Sequence, residues 1–147
     1  MSTYSFIDVN ATMVGIGGVI NLGNGAAVSE EGITISQVED KNVQVIGADG
    51  EVMNTLRASK AGTVTVRILK TSPVNAQLMA MYDAQSLSSV AWGNNVITVS
   101  NPTVGDMHIC QKCAFKKKPD INNKKDADIL EWVFDAGKVD NILGTYV

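Results

Sequence analysis

The segment from Gly62 to Gln85 constrains the fold of this chain more than any other. Its first half alternates between apolar and polar residues, and a period of two places them on opposite faces of a strand. Valine, isoleucine and threonine suit such a half-buried surface. The segment therefore predicts a strand whose buried face carries Val64, Val66 and Ile68 and whose other face carries Thr63, Thr65 and Arg67.

The second half of this segment predicts a capped helix. Ser72 is a residue type that accepts a hydrogen bond from a backbone N–H two or three positions further on. Pro73 fits the first helical position, where its missing N–H costs nothing. Apolar residues then recur at the spacing of one helical face, at Val74, Leu78, Met81 and Tyr82. We expect this to be the only helix of any length.

The rest of the chain predicts short strands separated by turn residues. Asp49-Gly50 is a hairpin-turn signal. One helix cannot supply the crossovers that a parallel sheet needs. We therefore predict a single domain, 1–147, that is mainly β: an antiparallel β-barrel or sandwich of about eight strands with one flanking α-helix. The predicted strands are 7–13, 19–22, 33–35, 43–45, 62–69, 96–99, 107–115 and 129–134, with a short addition at 142–144.

The charge of the chain argues against a general nucleic-acid binder. The formal net charge is −3, whereas such binders carry a basic face. The basic residues are nevertheless unevenly distributed along the chain, and the region 112–125 holds half of them. This region predicts either a solvated loop or a loop that faces an anion or another subunit. Its lysines are Lys112, Lys116, Lys117, Lys118, Lys124 and Lys125.

The sequence predicts no membrane segment and no secretory signal. Residues 9–29 lack charge, but asparagines and glycines interrupt them too often for a membrane span. The first residues carry no lysine or arginine ahead of an apolar core. We therefore expect a protein that is made and kept in the cytoplasm.

The two cysteines, Cys110 and Cys113, form a C-x-x-C pattern that could serve redox chemistry or half a zinc site. Zinc needs four ligands, and only His108 could be added to the thiols. In an extended strand, residues three apart point to opposite faces, so we expect the two thiols to diverge. The prediction is structural thiols and no metal.

Catalytic and cofactor motifs are not apparent either. His108 has no orienting partner identified by the sequence. The glycines at 15–25 fail both phosphate-binding patterns, since Ile20 and Asn24 stand where glycine and lysine are required. Asp126, Asp128 and Glu131 do not form a calcium loop. We predict no enzyme activity and no cofactor.

Several phrases of the sequence, taken together and in this order, resemble the tail tube protein of contractile-tailed bacteriophages. They are YSFIDVNATMVGIGG (4–18), EEGITI (30–35), GADGEVMNTL (47–56), ILKTSPVNAQL (68–78) and EWVFDAGKVDNILG (131–144). They are not chemical motifs, so their specificity lies in their joint occurrence over nearly the whole chain.

The resemblance implies a β-barrel or sandwich beside one helix, without catalytic residues. It implies homo-hexameric rings that stack into the inner tube of a contractile tail, in a virion assembled in the host cytoplasm. The implied partners are further copies of the chain, the tail sheath protein, and the baseplate and tail terminator proteins. DNA would pass through the tube without specific binding, and no membrane is involved.

Two alternatives remain open. The first is the tube of a pyocin-like or secretion-type contractile injection system, which neighbouring genes would distinguish from a phage. The second is a β-sandwich module that binds sugars or a baseplate partner. Such modules usually expose aromatic side chains, and only Trp92 and Trp132 could serve. Trp132 alternates with Leu130 and Phe134, which predicts a core position.

Two surfaces are candidates for contacts between subunits. The long loop 47–62 mixes charged and apolar residues, which suits either packing on a neighbouring subunit or a hairpin folded on its own domain. Its candidate contact residues are Asp49, Glu51, Val52, Met53, Leu56, Arg57 and Lys60. The polar side of the following strand could line a lumen or a subunit seam, through Thr63, Thr65 and Arg67.

Overall fold

The computed structural model describes residues 2–23, 25 and 28–146, with the backbone alone described at 29–31. Ten strands and one α-helix follow a short 3-10 turn at Phe6–Asp8. The elements are β1 (Asn10–Gly15), β2 (Gly18–Asn21), β3 (Val28–Gln37), β4 (Asn42–Ile46), β5 (Val52–Leu56), β6 (Gly62–Leu69), α1 (Val74–Gln85), β7 (Asn95–Asn101), β8 (Asp106–Lys117), β9 (Ile129–Ala136) and β10 (Lys138–Ile142).

Eight of the strands form one antiparallel arrangement. The strand order is β2-β1-β7-β8-β9-β6-β3, and β10 pairs with β8. Strand β8 pairs with β7 and β10 near its start and with β9 near its end, so it belongs to two sheets at once. Strands β4 and β5 pair only with each other. The predicted mainly β class with one helix is confirmed.

The alternation predicted for β6 is confirmed. Val64, Val66 and Ile68 are fully buried, whereas the polar positions between them are half-buried on the opposite face. β6 lies between β3 and β9, and its partner strand contributes Trp132 and Phe134 to the same core. Trp132 is fully buried, as predicted.

Helix α1 covers the core with the predicted stripe. Val74, Leu78 and Met81 are buried, and the hydroxyl of Ser72 accepts a hydrogen bond from the backbone N–H of Val74 at 3.3 Å. Pro73 has helical dihedral angles, with φ −65° and ψ −16°. The Ser72 hydrogen bond follows the prediction, but the helix begins at Val74, so Pro73 is its N-cap residue and not its first helical position.

Aromatic side chains pack around Phe115 at the base of this helix. Tyr82 and Trp92 contact it at ring-centroid distances of 5.5 and 6.3 Å. Trp132 and Phe134 contact it at 6.0 and 4.9 Å. Offset and edge-to-face aromatic pairs add to the stabilisation from buried area. Trp92 is thus half-buried in an aromatic cluster and does not form an open platform.

Several predicted boundaries were wrong. Ile7 lies in the 3-10 turn and is 72% exposed, so the first strand begins later than its alternation suggested. The loop predicted at 47–62 contains strand β5. Strand β3 begins at Val28, five residues ahead of the predicted start at residue 33, and its pairing with β6 is irregular between Val28 and Ile33. Asn24 lies outside the described residues, as do the side chains of Glu30 and Glu31 in the phrase EEGITI.

The expectation that the two thiols diverge was also wrong. Cys110 pairs with Ile97 and Cys113 with Asn95, so one residue of β7 lies opposite two residues of β8. Lys112 is one of these two residues of β8, and its backbone is left-handed, with φ 54°. A bulge of this kind shifts the alternation by one position. Both cysteines therefore point into the core and are fully buried.

Candidate functional site

The hairpin, defined as Asn42–Leu56, is the most exposed ordered element. Its strands β4 and β5 are exposed along their length except for half-buried Val43. The predicted contact residues Val52, Met53 and Leu56 are 50, 59 and 78% exposed. Among the described residues, β4 and β5 pair with no other strand. The hairpin stands free of the sheets.

Both faces of the hairpin carry apolar side chains. Side chains of directly paired residues share a face. Pairing of Val45 with Met53 gives one apolar face, and pairing of Ile46 with Val52 gives the other. Leu56 lies on this second face, paired with Asn42. Each face of the hairpin thus exposes large apolar side chains, and the second face also carries the polar residues Asn42, Gln44 and Asn54.

The turn of the hairpin is tightly hydrogen-bonded and acidic. The Gly47 N–H donates to the Glu51 carbonyl at 2.7 Å, and the Gly50 N–H donates to the Gly47 carbonyl at 3.0 Å. The Asp49 carboxylate accepts from the Glu51 N–H at 3.1 Å. Gly50 has φ 90°, a conformation that favours glycine. The predicted Asp-Gly turn therefore places two acidic residues, Asp49 and Glu51, at the tip, and the Asp49 carboxylate is held by the turn itself.

The other two predicted contact residues hold the base of the hairpin. Arg57 lies 3.5 Å from the carboxylate of Glu39, and Lys60 lies 3.2 Å from that of Asp140. The hydrogen bond from Lys60 lowers the pKa of Asp140. Lys60 also accepts a backbone hydrogen bond from Val139 at 2.9 Å. These contacts connect the hairpin base to β10.

The polar face of β6 is organised by one arginine. The Arg67 guanidinium lies 3.4 Å from the Glu131 carboxylate and donates to the Thr34 hydroxyl at 3.1 Å. Thr63 and Thr65 continue the same face and are half-buried. The structure thus brings Thr63, Thr65 and Arg67 together on one surface, where the arginine charge is balanced by a neighbouring carboxylate.

The lysine-rich segment 116–125 begins on β8 and continues as an irregular loop. Its lysines are exposed. Lys124 lies 3.2 Å from Asp128, and Lys70 secures the loop by donating to Asn123 at 2.7 Å and to the Asn122 carbonyl at 3.0 Å. The loop is therefore held against the end of β6.

Sheet edges remain open within the described residues. Strands β2 and β3 each pair along one side, with β1 and β6 respectively, whereas β10 pairs with β8 and its other side bonds to the Lys60 carbonyl through the Val139 N–H. Unpaired strand edges are templates for pairing with another chain.

The chemistry-bearing residues are arranged as structural groups. Burial raises the pKa of Cys110 to about 11 and that of Cys113 to about 12, which disfavours thiolate formation. His108 Nδ1 lies 2.8 Å from the Asn141 amide oxygen, at the wall of a largely apolar cavity of about 750 Å³. Asp106 in the same wall accepts from the Gly144 N–H at 2.6 Å.

The described residues contain no group of three or more histidine, cysteine or acidic side chains placed to hold a metal ion. Among the same residues, no helix has the length and apolar character needed to span a bilayer.

A family model described as the bacteriophage PhiTE tail tube protein matches residues 1–144. This chain belongs to that tail tube family. The resemblance seen in the sequence is confirmed, and the family is one of structural proteins of the phage tail, not of enzymes. No curated protein matches the chain.

Solved structures of contractile particles share the tail tube fold of this chain. The anti-feeding prophage cap, a tube-terminating cap, is 10% identical with a TM-score of 0.58, covering 98% of this chain and 93% of that chain. The sheath/tube terminator of the extracellular contractile injection system PVC is 15% identical, with a TM-score of 0.60 and coverages of 97 and 98%. A chain of the extended PVC sheath-tube complex is 14% identical, with a TM-score of 0.53 and coverages of 97 and 99%.

Sequence reasoning missed two features of the candidate surfaces. It placed Val52 to Leu56 in a loop, although the alternating Val43 and Val45 across an Asp-Gly turn signalled a partner strand. It also missed Val45 and Ile46, which are 50 and 66% exposed and complete the apolar hairpin.

Proposed function

We propose that this tail tube family member self-assembles into hexameric rings, which stack as the inner tube of a contractile tail. The tube conducts DNA during ejection, inside the sheath of a virion assembled in the host cytoplasm. The observation that carries the proposal is the free hairpin Asn42–Leu56, which exposes apolar side chains on both faces.

The hairpin supports assembly because a lone subunit would leave its apolar side chains in water, which is unfavourable in free energy. A two-stranded hairpin in water is marginally stable at best, and large apolar patches mark interaction sites. Val45 and Met53 on one face and Ile46, Val52 and Leu56 on the other are all at least half exposed. Packing on a neighbouring subunit would cover both faces at once.

The open sheet edges support a closed ring. A heterologous interface closes into a ring when its rotation permits and otherwise grows into a filament. Strands β2 and β3 offer unpaired edges within the described sheet. A ring that covers these edges removes the hazard of uncontrolled pairing.

The polar face of β6 suits either a lumen or a subunit seam. Its charged groups are Arg67 with Glu131, Asp135 opposite Thr63, and Lys117 opposite Val133, so two acidic and two basic groups balance. Phosphate backbones are held by lysine and arginine clusters. A lumen lined by threonines and compensated charge would let DNA slide without specific binding.

The proposed partners are further copies of the chain, the sheath protein, and the baseplate and terminator proteins. A phage tail is favoured over a pyocin-like or secretion-type injection system by the family match. Capsid and terminase genes beside the coding sequence would support the phage, and their replacement by toxin or secretion genes would support the alternative.

Negative-stain electron microscopy of the purified protein tests the assembly. We expect rings, and tubes with a visible bore, at high concentration. A strictly monomeric protein under those conditions would contradict the proposal, and rings that never stack would indicate a terminator in place of a tube.

A hairpin variant tests the contribution of the exposed side chains. Replacing Val52, Met53 and Leu56 by serine, or deleting Val52–Leu56, should leave folded protein that forms no tubes. The matched control replaces Leu87 and Val90 by serine, since these are 86 and 83% exposed outside the hairpin. Tubes that persist in the hairpin variants would rule out this element as a stacking contact.

A further inference from the structure

The two ends of the sheet formed by β3, β6 and β9 carry different structures. At one end, Gln37 pairs with Gly62 and Gly62 pairs with Ala136, and the hairpin leaves the sheet from this end. At the other end, Leu69 pairs with Ile129, and the Lys70 N–H donates to the Asp128 carbonyl at 3.3 Å. At a rise of about 3.3 Å per residue, the eight residues of β6 separate the ends by roughly 23 Å.

These two ends have opposite charge. The hairpin tip, residues 47–51, carries Asp49 and Glu51 and no basic residue. The lysine loop, defined as residues 116–128, carries five lysines and three aspartates, so two positive charges remain. The Lys70 ammonium, which bonds to this loop, adds to the positive end.

Apolar side chains accompany the charges at both ends. Ile46 and Val52, next to the tip, are 66 and 50% exposed. Ile121 in the lysine loop and Leu69 beside it are 61 and 43% exposed. The two ends are therefore complementary in charge and similar in apolar content, as expected of an interface whose rim steers and whose centre is desolvated.

We infer that the acidic hairpin tip of one copy docks on the lysine loop of the next copy, so that this pair forms the contact between stacked rings. The contact is heterologous, because the two surfaces lie at opposite ends of one sheet, and repeating it adds copies in one direction. This inference rests on the tube proposed above and assigns the lysine loop to an anionic surface of the same chain.

Charge reversal tests the contact. The tip variant, Ala48→Lys with Glu51→Lys, changes the tip charge from −2 to +1 and keeps the Asp49 hydrogen bond of the turn. The loop variant, Lys116→Glu with Lys118→Glu, changes the loop charge from +2 to −2 and keeps Lys124 with Asp128. All four substituted positions are exposed. Each variant alone should form rings but about tenfold less tube than the unaltered protein, because like charges then meet at every junction.

Mixing the two variants gives the decisive measurement. A basic tip meets an acidic loop at one junction, and an acidic tip meets a basic loop at the next, so the mixture should form tubes of alternating rings. A single chain that carries all four substitutions should also form tubes. The matched control, Asp83→Lys with Ala84→Lys on the exposed side of α1, adds the same charge as the tip variant and should leave tube yield unchanged.

The outcomes separate this inference from the proposed function. If the unaltered protein forms tubes and both variants elongate normally, the docking contact is wrong and the tube stands. If the variants fail to form rings, or if their mixture stays as rings, the contact does not lie where we place it. If the unaltered protein forms no tube, the proposed tube and the proposed docking contact are both wrong.

Discussion

Gln85 and Asn95 bond to each other in both directions inside the core. The Gln85 amide donates to Asn95 Oδ1 at 2.6 Å, and the Asn95 amide donates to Gln85 Oε1 at 2.9 Å. The remaining hydrogens reach the carbonyls of Ile16 at 2.9 Å and Cys113 at 3.1 Å. Gly15 adjoins the pair, and a Cβ there would overlap Asn95 Oδ1. This pair connects α1 to three parts of the sheet.

Replacing either amide by alanine should lower the free energy of unfolding by about 2 kcal/mol, because the other side chain keeps buried polar atoms without partners. Urea unfolding of Gln85→Ala, Asn95→Ala and the double variant measures this. The loss in the double variant should be smaller than the sum of the single losses. Strictly additive losses would show that the two amides act independently.

Asn75 should stabilise the fold through its hydrogen bond to the buried Trp132. Its side-chain oxygen accepts from Trp132 Nε1 at 3.1 Å, and its amide donates to the Leu69 carbonyl at 2.9 Å. Asn75→Ala removes both partners and should cost about 2 kcal/mol. Asn75→Asp keeps the acceptor and should cost less. Thermal unfolding followed by tryptophan fluorescence compares the two, and equal losses would contradict a role for the acceptor.

The two thiols should make stability depend on pH in the alkaline range. Burial raises the pKa of Cys110 from 9.0 to about 11 and that of Cys113 from 9.0 to about 12. The folded chain therefore holds protons that the unfolded chain releases. This contribution is fully present below pH 9 and is lost as the pH rises through 11 to 12.

Unfolding free energies measured from pH 7 to pH 11 test this dependence. The unaltered protein should lose more stability above pH 9 than Cys110→Ala with Cys113→Ala does. A thiol-reactive disulfide reagent at pH 8 should modify the protein only after unfolding. Rapid labelling of the native chain would contradict the burial of both side chains.

The hairpin should be the least protected ordered segment of an unassembled subunit. Its strands form no sheet beyond their own pair and have little buried surface. Local opening is easiest where few apolar contacts hold a segment. Amide hydrogen exchange should therefore be fast at Asn42–Leu56 in subunits, slow at β6 and β9, and slow at the hairpin in tubes. Fast exchange in tubes would contradict burial of the hairpin on assembly.

Periodicity predicted the regions where local and global preferences agree. The buried side of β6 and the helix stripe through Leu78 follow from residue spacing, and the Ser72 hydrogen bond follows from residue type, because each depends on neighbours in the chain. The same alternation predicted that the first strand starts at Ile7. This was wrong, because Ile7 lies in a 3-10 turn that precedes the sheet. Alternation alone cannot show where pairing with a distant strand starts.

The features that escaped prediction depend on distant contacts. The bulge at Lys112 is forced by pairing across β7 and β8, and the C-x-x-C spacing carries no sign of it. The Gln85–Asn95 pair joins two residues of types that are usually found at the protein surface. Its one signal is spacing, because Gln85 continues the buried series of Val74, Leu78 and Met81 by one further turn. The exposed hairpin is visible only once the sheet shows that nothing covers it.

Strand β8 gives this subunit a mechanical property. The strand hydrogen-bonds into one sheet near its start and into the other near its end, with Lys112 at the change. One sheet therefore cannot slide past the other without bending a backbone that both share. A wall made of such subunits would resist shear within each building block, so deformation of the tube would be confined to the boundaries between copies.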